Sequence, residues 1–291
     1  MIDTTRLGST LFSSTPGLRI AAAESFEPGD PAHLWPHEAH AVRDARWSRR
    51  AEFAAVRACA RAALAELGVQ PTAIVPSGAG PTWARRAPRW PPDVVGSMTH
   101  TAGYAAAVVA LDRDVASLGI DAEANAPLPE GILEYTTGEE ERSAIERLSR
   151  QDGTVAWDRL VFSMKESVFK TWYPLMGTWL GFEQCVVTVG PEGTFSAALA
   201  DGGLLVDQQP LRRLTGVWEL VPGQDSEMLV TAVVVPQPCV LDDRRLDDDG
   251  AVGRSGRLVT GTTDDAQTSL STCAPETPDT TRTGPSAEVG S

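Results

Sequence analysis

Read as a pattern of apolar and polar positions, the chain alternates between two periods. Residues 17–24 (GLRIAAAE) have the composition of a first strand. Across 36–67 the apolar positions take helical spacing: Phe53, Val56, Ala60, Leu64 and Leu67 recur three or four apart, and Gly68 ends the run. Arg43, Arg46, Arg49, Arg50, Arg57 and Arg61 line the polar side of this helix. A Gly/Pro-rich loop at 78–93 leads into three strand-like runs at 94–99, 104–111 and 115–123, with Gly103 and residues 112–114 in turn positions.

Residues 125–131 (NAPLPEG) continue neither a helix nor a strand well and mark a boundary. Beyond it, 138–148 reads as an acidic amphipathic helix. Residues 155–175 read as a stronger one, carrying Trp157, Leu160, Val161, Met164, Val168 and Trp172. Strand patterns return at 184–189, 194–199, 216–221 and 227–235. The expectation is an α+β chain with an N-terminal half (1–124) and a C-terminal half (125–235), each a helix with a few strands. Residues 236–291 are rich in Asp, Thr, Ser, Gly and Pro; burial there cannot offset chain entropy, which predicts a disordered acidic tail.

Composition narrows the function classes. With 291 residues, 42% of them hydrophobic, the chain can build a substantial core. A net charge of −14 argues against a duplex nucleic-acid binder, so any anionic ligand must be held locally. Cys59, Cys185, Cys239 and Cys273 are widely spaced, which suggests neither a zinc site nor a disulfide framework and fits a reducing cytoplasm. His33, His37 and His40 lack Cys or carboxylate partners at metal spacing. Residues 1–24 have no basic segment leading into an apolar one, and no apolar run approaches about 18 residues, so neither secretion nor membrane spanning is expected.

One detail reweights the motifs. Of 25 basic residues only Lys165 and Lys170 are lysines, and they flank Glu166 in FSMKESVFK (162–170). In a chain that elsewhere uses arginine, they mark places where a compact ammonium is wanted. Glu166 and Lys170, four apart, also fit an ordinary intrahelical ion pair. In GIDAE (119–123), Asp121 and Glu123 at i and i+2 of a strand share a side. That pattern fits either two solvated acids at a strand end or a site for a hard cation such as magnesium. GSMTH (96–100) ends a strand at His100, which fits either a satisfied histidine or a phosphate donor. Trp172, Tyr173, Leu175, Met176, Trp179 and Leu180 fit core packing or a docking surface, core packing being the commoner use.

Taken in order, GSMTH, GIDAE and FSMKESVFK resemble the 4′-phosphopantetheinyl transferases of the Sfp/EntD type, in an actinobacterial-like form. The likeness extends to RRAEF…RACAR at 49–61 and Phe182, covering roughly residues 15–235. It implies two similar half-domains related by a pseudo-twofold axis, each a small antiparallel sheet packed with a long helix, with coenzyme A in the cleft between them. It also implies magnesium, with manganese as a substitute, held by Asp121, Glu123 and Glu166. Lys165, Lys170 and His100 would meet phosphate oxygens, Arg49 and Arg57 the 3′-phosphate of the adenosine, and Glu166 or a water it holds would serve as general base.

The implied reaction moves phosphopantetheine to a serine of an acyl or peptidyl carrier protein of fatty-acid, polyketide or nonribosomal-peptide type, by a monomeric cytoplasmic enzyme. The family's loop lysine ahead of GSxTH is missing: Ser77–Pro81 has none, and TWARRAP is inserted, leaving Arg85, Arg86 or Arg89 as substitutes. Two other readings are a catalytically silent carrier-binding module and another magnesium-dependent phosphoryl-transfer enzyme. The chain has no GxxxxGK[ST] loop to support the second.

Overall fold

Apolar positions that recur every second or every third to fourth residue bury one face of each element, and the computed structural model shows where those faces meet. It describes residues 2–12, 17–82, 84–101, 103–190, 192–200, 203–206, 209–223 and 226–237. The helices are α1 (Arg6–Leu11), α2 (Pro36–Ala41), α3 (Trp47–Leu67), α4 (Ile132–Thr136), α5 (Glu139–Gln151) and α6 (Trp157–Met176). The strands are β1 (Ile20–Ser25), β2 (Val94–Thr101), β3 (Tyr104–Leu111), β4 (Val115–Ala124), β5 (Cys185–Gly190), β6 (Thr194–Leu199), β7 (Leu204–Val206), β8 (Gln209–Leu211), β9 (Arg213–Val221) and β10 (Met228–Pro236). The chain is α+β, as its pattern suggested, and its sheets are antiparallel. The tail expected beyond residue 236 lies almost wholly outside the described residues.

Two sheets carry the fold, one of order β1-β3-β2 and one of order β4-β10-β9-β6-β5. On the outside of the first, α3 packs Val56, Cys59, Ala60, Ala63 and Leu64 against Ala21, Ala23, Ala105, Ala107 and Val109. On the outside of the second, α6 packs Leu160, Val161, Met164 and Val168 against residues such as Val187, Ala197 and Leu229. Between the sheets, Ala22, Ala106 and Val108 face Leu118, Ile120, Val230 and Ala232, closed off by Leu7 and Leu11 of α1. The layers therefore run helix, sheet, sheet, helix. α1 is too short, and too rich in Gly, Ser and Thr, to show a helical period. Buried Glu24 accepts from both Arg6 and Tyr104, tying α1 to the first sheet.

One sequence expectation needs correction. The single helix expected at 36–67 is two helices, α2 and α3, separated at 42–46. Arg61 donates to Glu38 at 2.7 Å, 23 positions away. In one continuous helix that separation would span about 34 Å, so the chain must fold back. Leu34, Val42, Phe53 and Ala54 form the small core inside that fold-back. β4 lies on the N-terminal side of the boundary expected at 125–131, and its ladder partner is β10, in the second sheet.

β4 reaches the first sheet through side chains. The Ile120 and Ala122 N–H groups donate to Ser97 Oγ and Thr99 Oγ1 of β2, each at 3.0 Å. A row of donors that β10 does not take is thereby satisfied, and the polar residues of GSMTH become the seam between the sheets.

On its other face β4 approaches α6 unusually closely. A Cβ on Gly119 would lie 2.1 Å from the Ser167 carbonyl oxygen and 2.5 Å from Thr171 Oγ1. Gly119→Ala should cost about 2–3 kcal/mol through overpacking against backbone that cannot move aside. The check is a lower urea midpoint at unchanged slope. Gly153→Ala, whose added Cβ would come no nearer than 3.9 Å to Ser149 O, should shift stability by less than about 0.5 kcal/mol.

Candidate active site

α6 brings one polar stripe to the face of β4. Arg159, Ser163, Glu166 and Lys170 follow one another at intervals of four, three and four, so they share a side of the helix. Opposite them, alternation along β4 turns Asp121 and Glu123 toward α6 while Leu118, Ile120 and Ala122 enter the core.

Asp121 is 6% exposed and accepts three hydrogen bonds: from Lys170 Nζ at 2.8 Å, Ser163 Oγ at 2.8 Å and Thr99 Oγ1 at 3.3 Å. Lys170 completes its own set at Ile120 O (3.1 Å) and Met98 O (3.4 Å), joining β2, β4 and α6 at one ammonium. Glu123 pairs with Arg159 at 3.0 Å, and Arg159 also donates to Ala126 O and Pro127 O. Burial, and then the Asp121 charge, raise the Glu123 carboxyl above its usual range.

Glu166 is pushed up to about 7 by burial and then by Asp121, against the pull of Lys170. Three acids from two elements thus press on one another electrostatically. Among the described residues, no three His, Cys, Asp or Glu side chains are gathered as a metal-holding cluster. As it stands, Asp121 and Glu123 are neutralised by Lys170 and Arg159.

Cations form the opposite wall. Arg49, Phe53 and Arg57 lie four apart on α3, and the Arg57 guanidinium sits 3.5 Å above the Phe53 ring. Arg57 is 7% exposed and donates from Nε to Ile74 O at 3.1 Å. His100, at the end of β2, contacts Arg49 through Nε2 and lies 3.6 Å from Glu52. Burial, then the Arg49, Lys170 and Arg57 charges, lower His100 to about 4, so it is neutral at neutral pH. Cations from α3 and α6 therefore act on the same imidazole.

Of the residues singled out in the sequence, Asp121, Glu123, Glu166, Lys170, His100, Arg49 and Arg57 are brought near one another across the seam between the sheets. Lys165 is not. It is 3% exposed, and its ammonium donates to Glu141 (2.8 Å), Thr136 O (2.8 Å) and Phe182 O (3.0 Å). All three of its donors are used by groups of α4, α5 and the turn before β5, so a phosphate role for Lys165 is corrected to a structural one. One helical step from Glu166, it points about 100° away.

In the loop ahead of β2, Arg85 donates to Gly80 O at 3.0 Å and Arg89 to Ser77 O at 2.6 Å, both within their own loop. Ser163, Arg159 and Thr99 went unremarked in the sequence, although the first two complete a polar stripe with Glu166 and Lys170 along the helix. Trp172 and Leu180 pack in the core, and Trp179 is half exposed.

Acids on one wall and cations on the other, at the seam of an α+β fold, are the equipment of an enzyme that handles phosphate groups. The model of the 4′-phosphopantetheinyl transferase N-terminal domain matches residues 37–110, and that of the 4′-phosphopantetheinyl transferase superfamily matches 117–216. The chain is 46% identical over 213 residues to 4′-phosphopantetheinyl transferase Svp of Streptomyces mobaraensis, covering 72% of this chain and 82% of that protein. It is 40% identical to 4′-phosphopantetheinyl transferase Npt of Nocardia iowensis, covering 70% and 92%. It is 37% identical to 4′-phosphopantetheinyl transferase PptT of Mycobacterium tuberculosis, covering 74% and 92%. The chain belongs to the 4′-phosphopantetheinyl transferase family and is a transferase.

Two outcomes follow from the geometry. Lys165→Met strands Glu141, 4% exposed, without its counter-charge and should cost about 3–5 kcal/mol by chemical denaturation. For Glu166 the folded carboxyl titrates near 7 against 4.5 when unfolded, so the folded state holds the extra proton between those values. Stability is then lost as pH rises through that window, and the penalty is complete above about 7. In chelator-treated protein, Glu166→Gln should raise the melting temperature by a few degrees at pH 8 and change it little at pH 4.5. Equal effects at both pH values would contradict the assignment.

Proposed function

We propose that the cleft transfers 4′-phosphopantetheine from coenzyme A to a serine hydroxyl of an acyl or peptidyl carrier protein, releasing adenosine 3′,5′-bisphosphate. The observation that carries this reading is the electrostatic influence of Asp121 and Glu123 on Glu166 beside Lys170, with Arg49, Arg57 and His100 across the seam.

The donor set suits a hard divalent cation, which prefers carboxylate oxygens. Glu166 makes no hydrogen bond or ion pair among the described residues, and the Asp121 charge raises the carboxyls of both Glu123 and Glu166. Asp121, Glu123 and Glu166 would hold magnesium, or manganese in its place, in competition with Lys170 and Arg159. Bound there, the ion would neutralise charge on the coenzyme A pyrophosphate.

The chain's own residues supply the rest. Lys170 faces phosphate oxygens from a place fixed by two strand carbonyls, and Arg49 and His100 extend the positive field along the cleft. An arriving phosphate would raise the basicity of His100, since its negative charge opposes the arginine and lysine fields that lower it. The serine oxygen bonds to the β-phosphorus as the bond to the bridging oxygen of the adenosine bisphosphate breaks. Glu166, or a water it orients, takes the serine proton. The two halves, 1–124 and 125–235, would both contribute, Arg49, Arg57, His100, Asp121 and Glu123 from the first and Glu166 and Lys170 from the second.

Incubated with coenzyme A, magnesium and an apo carrier protein, the chain should add about 340 Da to the carrier, the mass of the group moved in this transfer. Mass spectrometry across fatty-acid, polyketide and nonribosomal-peptide carriers checks this and ranks the partners. Asp121→Ala should lower the rate at least about a hundredfold, as expected for loss of a charged group at a phosphoryl-transfer centre. No mass gain on any carrier would refute the activity, and a wild-type rate from Asp121→Ala would refute the metal assignment.

A further inference from the structure

We infer that Glu38 is a positioning residue for coenzyme A, acting through the Ile74 backbone to set the Arg57 guanidinium that faces the nucleotide. This inference rests on the reading of Arg49 and Arg57 as the holders of the 3′-phosphate.

Glu38 is fully buried, an unfavourable place for a lone carboxylate, yet every contact it makes is directed. Oε1 accepts from the Ile74 N–H at 2.9 Å. Oε2 accepts from Arg61 Nη1 at 2.7 Å and from the Trp35 N–H at 3.1 Å. Ile74, itself 0% exposed, accepts at its carbonyl from Arg57 Nε at 3.1 Å. One residue of backbone is thus gripped from both sides, by an anion at its N–H and a cation at its C=O. Glu38 thereby fixes the carbonyl to which Arg57 donates.

The same anchor fixes the root of the loop ahead of β2. Two residues past Ile74, Pro76 bridges to Pro88, and Arg89 N–H donates to Val75 O at 2.9 Å. The segment where the family's lysine is missing therefore hangs from the point Glu38 holds. Charge works in the same direction. Burial pulls Arg57 down to about 9, and Glu38 opposes that shift, so it supports a guanidinium kept cationic in a nearly closed place. Arg61, whose guanidinium lies 5.2 Å from the Trp35 ring, completes the clamp by holding the carboxylate itself. A merely structural acid could have paired with Arg61 alone. The bond to Ile74 couples this one to the nucleotide wall.

The test uses the full chain with an apo carrier and compares coenzyme A with 3′-dephospho-coenzyme A. In the wild type, kcat/KM should favour coenzyme A by roughly tenfold or more, the worth of a charge-assisted contact to the 3′-phosphate. In Glu38→Gln that preference should shrink severalfold, through a higher KM for coenzyme A, while the dephospho substrate is scarcely affected. Where Glu38→Gln does not fold by circular dichroism, Glu38→Asp is measured in its place; it keeps the charge beside Arg61 but shortens the reach to Ile74. A folded variant that keeps the full preference, or loses both substrates equally through kcat, overturns the positioning role. A wild type that does not distinguish the two substrates instead refutes the 3′-phosphate assignment, and the role of Glu38 falls with it, while carrier modification itself stands.

Discussion

The close approach of α6 to β4 at Gly119 is the constraint on which the site depends. With no side chain there, the helix backbone comes down onto the strand, and Ser117 Oγ donates to Thr171 O at 2.8 Å beside the contact. Two residues further along the strand, Asp121 meets Ser163 and Lys170 at hydrogen-bonding distance. Any larger residue at 119 would press directly on that helix backbone, at the point that sets the spacing between the acids of β4 and the polar stripe of α6. Thr231 of β10 reinforces the contact by donating to Ser163 O at 3.0 Å, so the helix is held from two adjacent strands.

The seam between the sheets has a related logic. A strand edge must satisfy its outward N–H groups, and extending the ladder to β2 would have merged the two sheets. Serine and threonine hydroxyls take the donors of Ile120 and Ala122 instead. The two edges are joined without a backbone ladder, and Lys170 can reach carbonyls on both. The residues that close the sheets also bring the acids of one within reach of the cations of the other.

Much of this was legible in the sequence, for identifiable reasons. Strands with a clear alternation or apolar run, such as β3 and β6, begin and end where the pattern placed them. The stop of α3 at Gly68 follows from a left-handed residue there, φ 84°. What escaped depended on contacts distant in sequence. The break between α2 and α3 is dictated by Glu38 meeting Arg61 and Ile74, which no local period reveals. β4 belongs to the second sheet because β10 pairs with it, more than a hundred residues later. The lysine pair was half misleading: Lys165 and Lys170 are both special, as their rarity implied, but for different reasons. Rarity identified where an ammonium is required without saying whether it serves the fold or the ligand.

The difference between those two lysines shows how the fold separates stability from chemistry. Lys165 is enclosed, with Glu141 and two carbonyls using every donor, and Glu141 in turn accepts the Val187 N–H at 2.7 Å. Such a pair is stabilising only as a completed set, which makes it a fixed joint between α4, α5 and β5. Lys170 is 28% exposed and shares its charge with a carboxylate that a divalent cation would also seek. Being partly open to solvent, it can exchange partners without itself becoming a buried lone charge. A cation that must hand over its anion during turnover belongs at such a half-open position, and one that must never move belongs at the closed one. The helix presents both within a turn and a half, and burial assigns the roles.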